Sequence, residues 1–143
     1  MEPAFWDTSA LVPLCVRNHS SARANQLFRR YAPVVWWVTP VEARSAFARE
    51  LRAGLLTAED YSHASSNLAA LQRKWQEILP TDGLRALAEE LLDRYSLSAA
   101  DALQLAAAYM WSGGHPFDRF LITADKRLLS AAGSIGFRVL SLD

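Results

Sequence analysis

Four acidic residues in this sequence stand where a carboxylate could do chemistry rather than simply face water. Asp7, Glu42 and Asp125 each follow shortly after an apolar run that reads as a buried strand. Asp101 lies within the most apolar helical segment of the chain. Because an unpaired charge is costly to bury, each of these carboxylates must meet a helix terminus, a cationic side chain or a metal ion.

Carboxylates that gather at one end of a sheet repel each other, and a divalent cation removes that repulsion. Oxygen-only ligands favour hard ions such as Mg²⁺ or Mn²⁺ over Zn²⁺. The three histidines and the single cysteine show no zinc-ligand spacing. Ser9 and Thr123 each lie two residues from a candidate carboxylate, where a hydroxyl could orient the carboxylate or a metal-bound water.

Helix capping is the competing account of these acids. A Ser/Thr-x-x-Asp/Glu pattern, in which a hydroxyl and an acid cap the start of a helix reciprocally, occurs three times. We expect Glu42, taken alone, to be such a cap, whereas capping and catalysis explain Asp7 and Asp125 equally well. Asp60 is an internal control, because it has the capping spacing but follows no strand. The three pairs are Thr39 with Glu42, Thr57 with Asp60, and Ser98 with Asp101.

Strand and helix signals alternate along the chain, which predicts one α/β domain over residues 1–143 with a mainly parallel sheet of four or five strands. Functional sites in such sheets lie at the carboxyl ends of the strands. We expect residues 31–33 to end the second helix, Thr39 to cap the third and Gly133 to end the last. Strands are predicted at 4–6, 34–38, 120–123 and 137–140, with a short extended piece at 78–80, and helices near 20–31, 39–53, 57–75, 84–95, 98–112 and 124–132.

Composition limits the class of protein. The apolar fraction of 51% and charged fraction of 21% are those of a soluble globular domain. Fifteen basic and fifteen acidic residues cancel, so the usual overall basic charge of a nucleic-acid binder is missing. Thirteen of the basic residues are Arg, which binds phosphate in a bidentate manner. A lone Cys15 and the lack of an apparent signal peptide or membrane span predict a cytoplasmic location.

Four motifs, in order and across almost the whole chain, resemble the PIN domain. They are DTSAL from Asp7, TPVEARSAF from Thr39, AADALQLAAA from Ala99 and FLITADKRLL from Phe120. Within that family the chain is most similar to the compact VapC-type toxins of bacterial toxin–antitoxin systems. The resemblance implies a PIN-like three-layer fold, with a central sheet between helices. The segment 57–95 matches the family only in its general helical character.

The resemblance also implies a Mg²⁺-dependent endoribonuclease. Asp7, Glu42, Asp101 and Asp125 would then be the catalytic metal-binding acids, supported by the hydroxyls of Ser9 and Thr123. Metal-activated water would hydrolyse the RNA phosphodiester without a nucleophilic side chain. Cations near the pocket would hold the phosphates of the RNA. The candidates for that role are Arg44, Arg49, Lys126 and Arg127.

VapC-like resemblance further implies a cognate antitoxin protein and a homodimer. A non-catalytic PIN-like module that binds protein or RNA is the main alternative, and the neutral net charge favours it somewhat. A phosphotransferase of the haloacid-dehalogenase type would also place an Asp after the first strand. That family requires a second Asp two positions later, where this chain has Ser9. The acids are also misplaced for a receiver-type phospho-acceptor domain.

Overall fold

The computed structural model describes all 143 residues and contains one five-stranded parallel sheet with the order β3-β2-β1-β4-β5. Helical segments separate consecutive strands, as parallel pairing requires. The predicted α/β class and the number of strands are therefore confirmed. The strands are β1 (Glu2–Trp6), β2 (Tyr31–Trp36), β3 (Gln76–Ile78), β4 (Phe120–Thr123) and β5 (Arg138–Ser141).

Seven helices cover the two faces of the sheet and complete a three-layer fold. Four of them enclose one face, on which Trp6, Val35 and Ile122 are buried. The other three enclose the opposite face, on which Phe5 and Leu121 are buried. The first set is α1 (Thr8–Cys15), α2 (Ser21–Phe28), α3 (Thr39–Arg52) and α4 (Ala58–Gln72); the second is α5 (Asp82–Arg94), α6 (Ala99–Trp111) and α7 (Lys126–Ile135).

Strand β2 differs from its predicted position at both ends. It begins at Tyr31, so residues 31–33 start a strand rather than end a helix. Pro33 is tolerated there because β3 begins only opposite Val34, which leaves that edge of β2 free. The strand ends at Trp36 because the next residues turn into α3: the carbonyl of Val38 already accepts hydrogen bonds from the amides of Val41 and Glu42.

The last helix also extends beyond its predicted end. Gly133 lies inside α7, and the helix stops instead at Gly136, whose φ of 124° suits glycine. A glycine inside a helix costs only about 1 kcal/mol, which packing on the sheet outweighs. Leu128, Ala131 and Ala132 supply that packing, since all three are buried.

Two further features bear on the sequence predictions. Cys15 is buried at the end of α1, and burial raises the pKa of its thiol to about 12, as expected for a small apolar residue. No helix combines the length and hydropathy that a membrane-crossing segment requires.

Candidate active site

All four predicted acids line one cleft of about 470 Å³ at the carboxyl end of the sheet, which we call the acidic cleft. Asp7 follows β1 and Asp125 follows β4, the strand paired with β1. Glu42 and Asp101 come from the first turns of α3 and α6. Four separate elements therefore bring carboxylates to one place. The strand-exit rule for parallel sheets predicts this for Asp7, Glu42 and Asp125. Asp101 joins them from a helix that follows another helix.

Asp7 is the most enclosed of the four. It is only 4% exposed, caps α1 by accepting from the Ser9 amide at 3.4 Å, and accepts from two hydroxyls. The Ser9 hydroxyl lies 2.5 Å and the Thr123 hydroxyl 2.9 Å from the same carboxylate oxygen, Oδ2. Burial raises the pKa of Asp7 and the neighbouring Glu42 raises it further, while the bonds from Ser9 and Thr123 oppose the shift.

The two hydroxyls also join the exits of β1 and β4. The amide of Ala124 donates to the Ser9 hydroxyl at 2.9 Å, and the amide of Asp125 donates to Thr123 Oγ1 at 3.0 Å. The two hydroxyl oxygens are 3.1 Å apart. This network holds the Asp7 carboxylate between the exits of β1 and β4.

Asp101 and Asp125 form a second acidic pair. Asp125 caps α7, accepting from the Leu128 amide at 2.9 Å, and Asp101 is half-buried at the start of α6. Burial raises the pKa of Asp101 to about 6, and the charges of Asp125 and Asp7 contribute to the shift. A carboxylate that resists ionisation because it is partly buried and has acidic neighbours is stabilised in its charged form by a cation.

Glu42 does not cap α3, so the capping role expected for it is wrong. Residue 38 takes the N-cap position with helical backbone angles and forms no side-chain capping bond. Glu42 instead turns into the cleft, where Oε1 accepts from the Thr8 hydroxyl at 2.7 Å and from Gln104 Nε2 at 2.6 Å. Thr39 is fully buried and accepts from the same Gln104 amide at 3.4 Å.

Gln104 is the site residue that the sequence analysis missed. It lies one turn after Asp101 on α6, is 1% exposed, and donates to Thr8, Thr39 and Glu42. Its Oε1 atom is buried without a hydrogen-bond partner. A lone amide in an otherwise apolar helix was the available signal, because buried polar side chains are retained only where partners await them.

No cationic side chain neutralises these acids. The one ion pair in the chain joins Arg85 to Asp82 at 3.3 Å on the exposed surface of α5. Of the four predicted RNA-binding cations, only Arg49 lines the acidic cleft. Arg44 donates to Ser65 on α4 at 3.3 Å, and Lys126 and Arg127 line a separate small pocket beside Tyr95.

The donor set fits a hard divalent cation in kind. Four carboxylates and the Ser9 hydroxyl line an open cleft that contains no His or Cys, and oxygen is the ligand that Mg²⁺ and Mn²⁺ prefer. As the side chains stand, no group of three or more such residues is close enough together to hold a metal ion already. Coordination would therefore require side-chain rotation within the cleft.

Comparison with known proteins identifies the fold. No family model and no curated protein matches this sequence. A chain in a toxin–antitoxin complex from Klebsiella pneumoniae is similar, with a TM-score of 0.68, 17% identity and 98% of both chains covered. PAE2754 from Pyrobaculum aerophilum has a TM-score of 0.63 at 23% identity, covering 96% of this chain and 89% of its own. FitAcB from Neisseria gonorrhoeae has a TM-score of 0.64 at 15% identity, covering 97% of both chains.

Proposed function

We propose that this protein is a Mg²⁺- or Mn²⁺-dependent endoribonuclease of the toxin-type PIN class, acting in the cytoplasm and inhibited by a cognate antitoxin. The observation that carries the proposal is the acidic cleft itself. Four carboxylates from four elements line it, and none has an Arg or Lys within ion-pair distance. Such an arrangement costs folding free energy unless a cation is bound there.

Each acid has a distinct task in this proposal. Asp7, fixed by Ser9 and Thr123, is the rigid ligand at the base of the cleft. Asp101 and Asp125 face each other and would bind the cation from α6 and the β4 exit. Asp101, whose pKa burial and the neighbouring acids raise to about 6, would be held in its ionised form by such a cation. Bound Mg²⁺ supplies a water of lowered pKa and neutralises charge on the phosphodiester.

Glu42 is held by Thr8 and Gln104, so its free oxygen faces the cleft from the α3 side. We assign it to orient a metal-bound water or a second cation opposite Asp101. The hydrogen bond from Gln104 Nε2 supports this assignment, because it fixes the orientation of the Glu42 carboxylate.

The RNA would approach past Arg49, the cation that lines the cleft. Its guanidinium can pair with a phosphate next to the one that is cleaved. The other three candidate cations lie outside the cleft lining and would contact only more distant nucleotides of the RNA. They are Arg44, Lys126 and Arg127.

Two partners belong to the proposal. An antitoxin is supported by the fold shared with a chain of the Klebsiella pneumoniae toxin–antitoxin complex. A homodimer is supported by three exposed apolar side chains near the exits of β2 and β3, since the core of a homodimer interface is more apolar than the rest of a protein surface. They are Trp37, Val41 and Leu79, which are 51%, 67% and 61% exposed.

The decisive experiment is RNA cleavage with matched variants. Purified protein should degrade unstructured RNA with Mg²⁺ or Mn²⁺ and stop when EDTA is added. Asp7→Asn should abolish cleavage with the fold intact by circular dichroism, whereas Asp60→Asn, which removes an acid from a capping box, should leave cleavage unchanged. RNA or protein binding without cleavage would favour a non-catalytic binding module instead.

The dimer has a separate test. Light scattering should give twice the monomer mass for the wild-type chain, and Trp37→Ser should shift it towards the monomer. The exposed Phe117, 69% accessible on another part of the surface, provides the control Phe117→Ser. A monomeric wild-type chain would remove the dimer from the proposal and leave the cleft unaffected.

A further inference from the structure

Positive charge is distributed unevenly along this neutral chain. Residues 8–41 contain four arginines and no acidic residue, although acids and bases are equal in number overall. That segment forms α1, α2 and β2. Two of its arginines, Arg29 and Arg30, follow α2 and lead directly into β2, at the end of the sheet opposite the acidic cleft.

Two further arginines complete a row at that amino end of the sheet. Arg119 precedes β4, and Arg138 is the first residue of β5, with its amide donating to the Arg119 carbonyl at 2.9 Å. Glu2 begins β1 and Asp118 precedes Arg119 at the same end, and neither acid forms an ion pair. We call the four residues Arg29, Arg30, Arg119 and Arg138 the arginine edge.

Aromatic rings hold three of these guanidinium groups. Arg30 lies 5.7 Å from the Tyr31 ring and Arg138 lies 5.7 Å from the Phe120 ring. Those two rings are 5.0 Å apart and tilted by 48°, so the four side chains form one connected set of aromatic and cation–π contacts. Arg119 lies 5.1 Å from the ring of Trp111 on the other face of the sheet.

Stacking leaves the guanidinium donors free and reduces their mobility. No carboxylate lies within ion-pair distance of these arginines, and none of them donates a side-chain hydrogen bond within the chain. An ordered donor loses less conformational entropy when it binds an anion than a mobile side chain does. The edge therefore presents several pre-oriented cations to solvent without internal partners.

We propose that the arginine edge binds the phosphate backbone of single-stranded RNA, as a second contact remote from the acidic cleft. The proposal rests on the proposed function in that RNA is the substrate. Guanidinium groups pair with phosphate in a bidentate manner, and their flat outer faces stack on unpaired bases. An acidic peptide has carboxylates that can pair with guanidinium groups but no bases that can stack on them, so the edge fits RNA better.

The two contacts predict a dependence on RNA length. Five residues of β1 span about 16 Å, which is roughly the distance between the two ends of the sheet. A long strand would reach both the acidic cleft and the arginine edge, whereas a very short one would reach only the cleft. Cleavage of long RNA should therefore have the lower KM and the steeper salt dependence.

Binding without turnover tests the edge directly. In EDTA, fluorescence anisotropy would follow an unstructured, fluorescein-labelled 20-nucleotide RNA bound to wild-type protein and to Arg30→Ala/Arg138→Ala. We expect affinity to fall at least about tenfold, with the slope of log K against log salt reduced by about 1.4, from two lost single-strand phosphate contacts. The charge-matched control, Arg17→Ala/Arg94→Ala, removes two exposed arginines that form no ion pair and lie outside the edge and the cleft, and it should bind like wild type.

A lysine variant separates the stack from the charge. Arg30→Lys/Arg138→Lys retains the positive charge without the guanidinium plane, so its salt slope should stay near wild type while affinity falls part of the way. Thermal melts of each variant establish that the fold is retained. Equal affinity and slope in the edge and control variants would overturn the proposal. So would a wild type that does not bind this RNA, or a polyglutamate peptide that competes as well as RNA.

Cleavage assays keep this proposal separate from the nuclease proposal. With Mg²⁺, the edge variant should raise the KM for the 20-nucleotide RNA and leave both KM and kcat for a dinucleotide unchanged, because a dinucleotide is too short to reach from the cleft to the edge. Metal-dependent cleavage with no effect of the edge variant would refute the arginine edge and leave the nuclease standing. Edge-dependent RNA binding in a chain that never cleaves RNA would refute the nuclease and leave the edge standing.

Discussion

The amino termini of α4 and α6 carry the same local sequence pattern and differ in charge behaviour. At α4, Thr57 and Asp60 form a complete capping box with two bonds of 3.0 Å. Hydrogen bonding from the Thr57 amide, and then from the Thr57 side chain, lowers the pKa of Asp60. At α6, the Ser98 hydroxyl accepts from the Asp101 amide at 3.1 Å, but the pKa of Asp101 is raised to about 6.

Tertiary packing explains the difference. Asp60 is fully exposed, and its carboxylate is satisfied by the Thr57 amide. Asp101 is half-buried at the acidic cleft, where Asp125 and Asp7 add like charge. At α4 the four-residue pattern therefore supplies a hydrogen-bond donor to its own carboxylate, whereas at α6 the charge of the carboxylate has no cationic partner. Only the second has a reason to bind a cation.

The largest expected contrast between the two termini is in activity. Asp101→Asn should reduce Mg²⁺-dependent RNA cleavage by at least about 100-fold, because a charge ligand contributes several kcal/mol to the stabilised transition state. Asp60→Asn should leave the rate within about twofold. Single-turnover cleavage of a labelled RNA measures the rates of both variants. Equal rate losses in the two variants would contradict the catalytic role of Asp101.

Metal binding should distinguish the amino termini of α4 and α6 in the absence of RNA. At 100 times its dissociation constant, Mn²⁺ should stabilise the wild-type fold by about 2.7 kcal/mol, which raises Tm by roughly 5–10 °C. Asp60→Asn should keep that rise, and Asp101→Asn should lose most of it. Differential scanning fluorimetry with an EDTA reversal measures the shift, and a wild type indifferent to Mn²⁺ would contradict the metal assignment.

The pH dependence of metal-free stability should have opposite signs at the two positions. A raised pKa means that Asp101 stabilises the fold when protonated, and this contribution is lost as pH rises from about 4 through 6. Asp101→Asn should therefore raise the free energy of unfolding by about 1 kcal/mol at pH 8, after allowance for solvent screening. Below about pH 4 it should leave the free energy of unfolding unchanged.

For Asp60 the lowered pKa reverses the sign. Its contribution is present above the unfolded-state pKa and is lost as pH falls through the lower folded-state value. Asp60→Asn should thus destabilise the chain at neutral pH and have little effect in strong acid. Urea titrations of both variants in EDTA from pH 3 to 8 measure these differences. If the free energy of unfolding of both variants depended on pH in the same way, the predicted opposite signs would be wrong.

The smallest expected contrast is in the capping hydroxyls. Thr57→Ala removes one partner of a reciprocal box, and Ser98→Ala removes a single capping bond. In urea unfolding at pH 7, we expect Thr57→Ala to lower the free energy of unfolding by about 1 kcal/mol and Ser98→Ala to lower it by somewhat less. A larger loss at Ser98 would indicate that the cap, rather than a cation, is what holds Asp101 in place.

How much the sequence predicts depends on whether a residue's role is local or tertiary. Asp60 as a cap was predicted because both partners lie within four residues. Asp7 and Asp125 were placed at strand exits by the order of the elements, and each also caps the helix that follows, so neither alternative excluded the other. The fold class followed from the same alternation of strands and helices.

Glu42 and Gln104 show where such reasoning fails. Their hydrogen bond joins positions 62 residues apart, and nothing local to TPVE signals that Val38, rather than Thr39, is the N-cap of α3. Pro33 was read as a helix terminator, although the limited length of β3 leaves it a free strand edge. In each case a distant partner decided between two locally acceptable conformations.

Cys15 gives this chain a practical advantage for spectroscopy. The protein has one native thiol, which is buried and protonated at neutral pH because its pKa is about 12. A cysteine introduced on the exposed surface would therefore react alone with maleimide dyes or spin labels. Distances from such a probe to labelled RNA could be measured without first removing a native residue.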